Sequence, residues 1–316
     1  MSRVTAAFRR AAEQSTITGE TAPGVDAGDD VRELAAEAFP IELPERRTFP
    51  ADAAAPPPPV VADRRVQKVE SASARNGAVF ERIDAALAAK VVVDAAMAPA
   101  SREQYRRLAA ALHHGQTDTG LKVVMIASAV PGEGKTLTAS NLALTLSESY
   151  QRSVLLIDGD LRRPAIHTLF RLDNLSGLTE GLASVEERPL RVMQVSRTLA
   201  VLPAGRATSD PMAGLTSQRM RTLIDEARSV FDWVIVDTPP IALLPDAKLL
   251  AAMVDGAVLV VKAGSTSYEM VKRAVDSLGR EHILGTVLNR ADTTTSVTGY
   301  DKAYYYGARA EAPVQQ

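Results

Sequence analysis

Six short apolar runs, separated by turn-forming residues, are spaced along the last two thirds of the chain. They lie at 123–127, 154–157, 199–202, 233–236, 257–261 and 283–288. Apolar residues follow one another within each run without the alternation of a half-exposed strand, which predicts strands covered on both faces. Helix-like segments at 135–149, 212–229, 246–253 and 267–278 lie between the runs. The order of elements therefore predicts an α/β fold with a largely parallel sheet.

A globular domain is predicted to begin shortly before the first of these runs. Three consecutive valines at 91–93 are followed by a segment with helical character. Ser101 is the predicted N-cap of this helix, Glu103 lies in its first turn, and Leu112 marks its end. We place the globular domain at 86–298.

The first 85 residues differ in composition from the rest of the chain. Nine of the 18 prolines lie within the first hundred residues, including the run 56–59, among many Ala, Asp, Glu and Arg residues. Such a segment cannot bury enough apolar surface to offset its loss of conformational entropy. We predict a disordered arm at 1–85 and treat 299–316 as a separate, tyrosine-rich tail.

Composition excludes several classes of protein. Lys and Arg number 36 against 38 Asp and Glu, and the resulting net charge of -2 argues against a general nucleic-acid binder, so we expect no nucleic-acid partner. The absence of cysteine excludes disulfides, thiolate catalysis and Cys-ligated zinc. No stretch approaches the ~18 apolar residues of a membrane span, and the start of the chain lacks a signal-peptide core. We therefore expect a cytoplasmic protein.

A glycine-rich segment, SAVPGEGKT at 128–136, follows the first predicted strand and precedes a predicted helix. The standard phosphate-binding loop is G-x-x-x-x-G-K-[ST], and Ala129 stands where its first Gly would be. The glycines allow backbone N–H groups to face a phosphate at the positive end of the helix. Lys135 can reach the β- and γ-phosphates, and the Thr136 hydroxyl can ligand Mg²⁺. The residues assigned to nucleotide contact are Pro131, Gly132, Glu133, Gly134, Lys135, Thr136 and Leu137.

Two acidic residues follow the second predicted strand. Asp158 and Asp160 are two positions apart, so on an extended chain their side chains point to the same side. Neighbouring carboxylates repel each other unless a cation or proton lies between them, and beside a phosphate loop Mg²⁺ is the natural cation. A polar turn whose acids cap a helix is the structural alternative.

A third acid ends another predicted strand. Asp237 follows the run 233–236. An apolar strand that ends in Asp is the Walker B pattern, in which the carboxylate holds a water of the metal shell. Arg162 and Arg163, just after the acidic pair, either steady phosphate or acidic groups or lie on a solvated surface.

These stretches resemble a known family. SAVPGEGKTLTASNLA, VLLIDGDLRRPAIHTLF, LPAG, FDWVIVDTPP and the tyrosine-rich tail are similar to segments of the bacterial tyrosine kinases (BY-kinases) of capsule and exopolysaccharide assembly, over residues 90–306. The resemblance implies a P-loop NTPase fold of the deviant Walker A type, with a mostly parallel sheet flanked by helices. It also implies a tyrosine autokinase that uses ATP and Mg²⁺, modifies C-terminal tyrosines of a neighbouring copy in a ring, and regulates polymer synthesis and export.

The resemblance gives each motif residue a role. Lys135 and Thr136 serve the phosphates and the metal. Asp158 and Asp160 form a second Walker-type motif, and Asp237 is the Walker B residue. Asn289, after the last strand, falls where relatives read the adenine base. The predicted catalytic set is Lys135, Asp158, Asp160 and Asp237, and the predicted metal set is Thr136, Asp158 and Asp237.

The tyrosine-rich tail has a chemistry of its own. A phenol with a pKa near 10 needs a base to become a nucleophile at neutral pH, and a carboxylate close to the γ-phosphate can supply it. We predict Asp160 as this base and Asp158 as a ligand in the metal shell. An aromatic docking patch or a last packed strand is the structural alternative for the tail. The predicted phosphoacceptors are Tyr300, Tyr304, Tyr305 and Tyr306.

One motif of the family is incomplete. Ring-forming relatives often carry an E-x-x-R-x-x-R helix that docks on the next subunit. Glu103 and Arg106 match it, but Ala109 occupies the third position, with Arg107 as a candidate stand-in, so a homo-oligomeric ring is expected on a partial motif. The chain resembles the free-standing cytoplasmic form of the family. That form implies a separate membrane-embedded activator of chain-length-regulator type, which would place the protein at the inner face of the plasma membrane.

Two other functions are compatible with a phosphate loop of this kind. A partition or cell-division-site positioning ATPase shares the fold, but such proteins usually carry a signature Lys where this chain has Val130. A nucleotide-sensing regulator of polysaccharide export that no longer transfers phosphate is the third candidate. The intact Lys135 and the three aspartates argue against it.

Overall fold

The computed structural model describes residues 83–183, 190–208, 210–243 and 247–291. The predicted tyrosine tail and all but the last residues of the predicted arm lie outside these ranges. Within these ranges, seven strands form one sheet: β1 Val123–Ser128, β2 Val154–Asp158, β3 Met193–Gln194, β4 Leu199–Leu202, β5 Trp233–Asp237, β6 Gly256–Lys262 and β7 Ile283–Asn289. The helices are α1 Pro99–Thr119, α2 Lys135–Leu144, α3 Ile166–Leu169, α4 Leu178–Ala183, α5 Pro211–Leu215, α6 Gln218–Val230, α7 Ala247–Ala251 and α8 Tyr268–Leu278.

The strand order is β3-β4-β2-β5-β1-β6-β7. Every neighbouring pair is parallel except β3 and β4, which are antiparallel. The predicted largely parallel α/β sheet is therefore confirmed, and each of the six predicted strands lies within one residue of its observed bounds. The two-residue strand β3 was not predicted.

Both faces of the sheet are covered, as continuous apolar strands require. Val123, Met125 and Ala127 of β1 pack into one hydrophobic cluster with side chains of α5, α6 and α8. Val124 and Ile126 point to the other face and pack into a second cluster with α1, α2 and α3. The central strands are buried at every residue, so their ends, rather than their faces, are left to carry chemistry.

Helix α1 differs from its prediction at both ends. It begins at Pro99, and Ser101 lies inside the helix rather than at its cap. Proline fixes the backbone angle that the first helical turn needs and lacks an N–H that would be unpaired there. The helix continues beyond Leu112 to Thr119, where Gly120, with φ 75°, ends it in the left-handed conformation.

The segment predicted as one helix at 212–229 is two helices. Thr216 and Ser217 separate α5 from α6, because the Ser217 side chain accepts a hydrogen bond from the Met220 N–H and caps the second helix. The predicted helix at 135–149 is α2 followed by a π-helical turn, Thr145–Ser149.

The segment before α1 is fixed to the domain. Ile83 is buried, and the Asp84 N–H donates to the Leu169 carbonyl oxygen at 2.9 Å. The Asn141 side chain on α2 accepts from the Val92 N–H and donates to the Lys90 carbonyl oxygen, both at 2.9 Å. The packed part therefore includes Ile83 and Asp84, which the sequence placed in the arm. Over the described ranges, no helix has the length and hydropathy needed to cross a bilayer.

Candidate active site

The predicted site residues converge because parallel strands end at the same edge of a sheet. Strands β2, β5 and β1 are neighbours, and Asp158 of β2 is paired in register with Asp237 of β5. A cleft of about 490 Å³ opens at this edge, as expected for an open α/β sheet. It is lined by Ser128, Pro131, Gly132, Gly134, Lys135, Thr136, Leu137, Asp160, Arg162, Arg163, Pro239, Pro240 and Arg290.

The phosphate loop connects β1 to α2 along one wall of this cleft. Gly132 and Gly134 adopt φ 81° and 97°, conformations that L side chains rarely accept. A Cβ at Gly134 would also clash with the Asn289 Nδ2 atom, so both the backbone conformation and the close approach of Asn289 disfavour a side chain there. Since α2 begins at Lys135, its unpaired N–H groups are available to an anion in the cleft.

Lys135 is the centre of a buried ion-pair cluster. Its Nζ atom donates to Asp237 Oδ1 at 2.8 Å and lies 3.7 Å from Asp160 Oδ2. The Thr136 hydroxyl donates to the other Asp237 oxygen at 2.7 Å. Lys135, Thr136 and Asp237, which the sequence assigned to phosphate and metal, therefore share one hydrogen-bonded cluster, and Asp160 joins it through the ion pair with Lys135.

Asp158 lies beside Asp237 on the neighbouring strand and is fully buried. Its Oδ2 atom accepts from the N–H groups of Ala165 and Ile166, each at 3.1 Å, at the start of α3. Burial, and then the charge of Asp237, raise the pKa of Asp158 to about 7, although the two N–H groups oppose the rise. Its Oδ1 atom is buried and has no hydrogen-bond partner among the described residues.

Asp160 differs from Asp158 because it reaches the cleft. Burial raises its pKa, and the charge of Lys135 opposes the rise. Its Oδ1 atom accepts from the Arg163 N–H at 3.1 Å. Both aspartates therefore make backbone contacts of the capping kind, and each keeps one oxygen outside those contacts.

The donor set fits a magnesium ion by its chemistry. Three hard oxygen ligands are available. Thr136 contributes a hydroxyl, Asp237 the carboxylate that accepts a hydrogen bond from that hydroxyl, and Asp158 a buried carboxylate oxygen with no hydrogen-bond partner among the described residues. In the described ranges, no group of three or more His, Asp or Glu side chains is arranged to hold a metal. Mg²⁺ tolerates so small a protein set because it keeps waters and binds substrate phosphates.

Glu133 and Asn289, both predicted nucleotide contacts, make protein contacts instead of lining the cleft. The buried Glu133 carboxylate accepts from the Val130 N–H at 2.8 Å and from the Thr266 hydroxyl at 2.5 Å. Asn289 donates from Nδ2 to the Glu133 carbonyl oxygen at 2.6 Å, and its Oδ1 atom accepts from the Arg290 N–H. Adenine recognition by Asn289 stays a prediction.

Three arginines lie at the mouth of the cleft. Arg162 and Arg163, which the sequence left between phosphate contact and solvated surface, are exposed and line the cleft together with Arg290. Arg290 was not predicted, although its place directly after a strand that ends at the cleft is a signal that sequence reasoning can use. The mouth is therefore positively charged.

The residues of the partial ring motif lie on α1, away from the cleft. Glu103 pairs with Arg106 at 3.6 Å and with Arg107 at 3.8 Å within the same helix. Arg107 therefore shares the partner of Arg106, which is compatible with a stand-in role. The four predicted acceptor tyrosines lie outside the described residues.

Comparison with known proteins gives matches over this part of the chain. A model of the ParA family, described as NUBPL iron-transfer P-loop NTPase, matches residues 121–315. The tyrosine-protein kinase YwqD of Bacillus subtilis (strain 168) is 37% identical over 210 residues, which is 66% of this chain and 86% of YwqD.

Two further matches extend the similarity. The succinoglycan biosynthesis transport protein ExoP of Rhizobium meliloti (strain 1021) is 35% identical over 209 residues, 64% of this chain but only 26% of ExoP. The solved kinase domain of the Escherichia coli tyrosine kinase ETK has a TM-score of 0.55 and 33% identity, covering 62% of this chain and 79% of that domain. The chain is thus similar to tyrosine kinases in both sequence and structure.

Proposed function

This chain belongs to the bacterial tyrosine-kinase family of ParA-like P-loop NTPases, and from that membership we propose how its residues carry out the reaction. It is an ATP-binding protein-tyrosine autokinase of capsule and exopolysaccharide biosynthesis. We propose that its acceptors are its own C-terminal tyrosines, Tyr300 and 304–306. The observation that carries the proposal is the cluster of Lys135, Asp237 and Asp160 beside the phosphate loop.

The phosphate loop and the start of α2 would bind the triphosphate through backbone N–H groups. Lys135, already between two carboxylates, would neutralise charge on the γ-phosphate. Thr136, Asp158 and Asp237 would hold Mg²⁺, which when bound neutralises charge on the β- and γ-phosphates.

Asp160 is the proposed general base. Its carboxylate lines the cleft and its pKa is raised by burial, two properties that suit proton abstraction near neutral pH. Asp160 takes the phenol proton, the phenolate oxygen forms a bond to the γ-phosphorus, and the bond from that phosphorus to the β,γ-bridging oxygen breaks. ADP leaves with the bond electrons, and the product is a phosphotyrosine.

One incubation tests this function. The protein is mixed with γ-labelled ATP and Mg²⁺ beside Lys135→Met and a variant in which the four tail tyrosines are Phe. We expect labelled tyrosine in the unaltered protein and in neither variant. Lys272→Met is the matched control, because Lys272 is exposed and pairs with the exposed Asp276 on α8.

Other outcomes favour the other two functions. Free phosphate released at the unaltered rate by the four-Phe variant, with no phosphotyrosine from any sample, would favour a positioning ATPase. Nucleotide binding with neither product would favour a nucleotide-sensing regulator.

We also propose a membrane-embedded activator and self-association. ExoP extends far beyond the segment that this chain matches, so a relative carries additional parts on the same polypeptide. A separate activator would supply such a part here and hold the kinase at the inner face of the plasma membrane. The labelling reaction should therefore accelerate when a candidate activator segment is added, and an unchanged rate would contradict an activator of that kind.

A further inference from the structure

We propose that Glu133 is a positioning residue: its carboxylate ties the phosphate loop to the segment after β6 and so keeps the N–H groups of the loop directed at the nucleotide. The inference rests on the proposed nucleotide site and concerns how that site keeps its shape.

The burial of Glu133 needs a reason. Its relative exposure is 1%, although it lies in a loop at the rim of an open cleft. A charged group out of water is unfavourable unless donors replace the lost water. The Glu133 carboxylate has three such donors: the Val130 N–H at 2.8 Å, the Thr266 hydroxyl at 2.5 Å and the Lys262 N–H at 3.3 Å.

The two carboxylate oxygens have different tasks. Oε2 accepts from Val130, three residues earlier, and closes the phosphate loop on itself. Oε1 accepts from Lys262 and Thr266, at and beyond the end of β6, and fixes the loop to the sheet. Glycine-rich loops have little conformational preference of their own. Contacts that fix both the curvature of the phosphate loop and its position on the sheet therefore determine its conformation.

The backbone of Glu133 is held as well. Its carbonyl oxygen accepts from Asn289 at the end of β7, at 2.6 Å. In a planar trans peptide the next N–H, that of Gly134, points opposite to this carbonyl. It therefore points away from Asn289, and Gly134 lines the cleft. Side chain and carbonyl together anchor one residue to two strand ends.

Preorganised donors bind an anion more tightly because no reorganisation is needed on binding. Glu133→Gln keeps the size of the side chain but places an NH₂ donor among three donors. We expect it to raise the dissociation constant of MgADP by roughly tenfold or more, since hydrogen bonds to a charged group are lost. Thr266→Val removes one of the three and should act in the same direction, but less.

The test is a double-mutant cycle on MgADP affinity, measured by calorimetry together with melting temperatures. If Glu133 and Thr266 act through one contact, the double variant binds MgADP about as weakly as Glu133→Gln alone. Glu148→Gln and Ser196→Ala are matched controls. The Glu148 carboxylate also accepts from a hydroxyl, Ser196 Oγ at 2.6 Å, but near the amino ends of the strands, and these variants should leave affinity unchanged.

Four results would bear directly on the positioning role of Glu133 or on the site that it supports. Affinity of Glu133→Gln within twofold of the unaltered protein, or additive effects of Glu133→Gln and Thr266→Val, would overturn the positioning role. If the control variants lose as much affinity as Glu133→Gln, the effect of Glu133→Gln is general destabilisation, and the positioning role is overturned. An unaltered protein that binds no MgADP would overturn the proposed function, a failure that is visible without any variant. Thr266→Val alone keeps the question open to measurement if Glu133→Gln does not fold.

Discussion

Charged side chains at the carboxyl edge of the sheet are buried, which is unfavourable unless they are paired. Lys135 and Asp237 neutralise each other at 2.8 Å. Asp158, in contrast, has two N–H donors on one oxygen and, within the part of the chain that the structure describes, no partner on the other. The unfavourable electrostatics of the site are therefore concentrated on Asp158.

This makes the stability of the nucleotide-free protein depend on pH. With its pKa raised from 3.8 to about 7, Asp158 keeps a proton in the folded state that the unfolded chain has released. Between these two pKa values, the free energy of unfolding falls as pH rises. Above pH 7 the free energy of unfolding stays lower by the full amount. We expect Asp158→Asn to raise the free energy of unfolding at pH 8 by up to about 4 kcal/mol and to change it little at pH 4. Urea unfolding with a chelator measures this, and an equal effect at both pH values would contradict it.

Gly134 provides a second prediction at this scale. Gly134→Ala combines backbone strain with a clash against Asn289, whereas Gly132→Ala brings strain alone, because a Cβ there meets nothing within 4 Å. We expect Gly134→Ala to weaken MgADP binding more than Gly132→Ala does. Asn289→Ala, which also removes an anchor of the loop, should therefore weaken binding less in the Gly134→Ala protein than in the unaltered protein. Equal losses in the two Ala variants would show that the clash is relieved at no cost to binding.

At the scale of elements, the sequence predicted the strands better than the helices. A strand buried on both faces is a continuous apolar run, so its bounds are visible locally. The start of α1 was predicted incorrectly because Ser101 looks like a cap, while Pro99 begins the helix. The break before Ser217 depends on one side-chain contact to Met220, which the helical pattern does not include.

The candidate site divides in the same way. The glycine-rich loop and the acids at strand ends were predicted, because parallel strands bring their carboxyl ends to one edge. The contacts of Glu133 with Thr266 and with Asn289 were not predicted. Their partners are far apart in the sequence, by 133 positions for Thr266 and by 156 positions for Asn289. Contacts of that kind depend on the packed sheet and have no signature in a local pattern.

The two ends of the sheet should respond differently to substitution. Asp255 accepts from the Lys122 and Val123 N–H groups, each at 2.8 Å, and from Arg228, and so joins α6 to the amino ends of β1 and β6. We expect Asp255→Ala to lower the free energy of unfolding by about 2–4 kcal/mol while leaving MgADP affinity unchanged.

The control for this prediction is Asp276→Ala, which removes an exposed pair with Lys272 on α8. We expect a change within about 0.5 kcal/mol, because exposed ion pairs contribute little. A loss of MgADP affinity in Asp255→Ala at temperatures where it is folded would contradict the separation of stability and binding between the two ends.

At the scale of the whole molecule, the proposed self-association would let one copy modify the tail of another. β7 ends at the cleft and Arg290 lines its mouth, so the chain leaves the described domain at the edge where we propose that the triphosphate binds. We expect label on Lys135→Met, which keeps its tyrosines, when it is mixed with the four-Phe variant, which keeps its catalytic residues. Gel separation of differently tagged chains reads the result. An unlabelled Lys135→Met chain in that mixture would contradict transfer between copies.

The exit of the chain beside the arginines also limits how far the tail can reach. Tyr300 lies nine positions after Ala291, so a fully extended tether to Tyr300 reaches roughly 30 Å from the rim of its own cleft. Tyr300 can thus meet the donor site of an adjacent copy only when the two rims lie within that reach, whereas the acceptors at 304–306 allow a wider separation. Lengthening the tether with Gly and Ser would relax this condition, and shortening it would restrict which neighbour can be served.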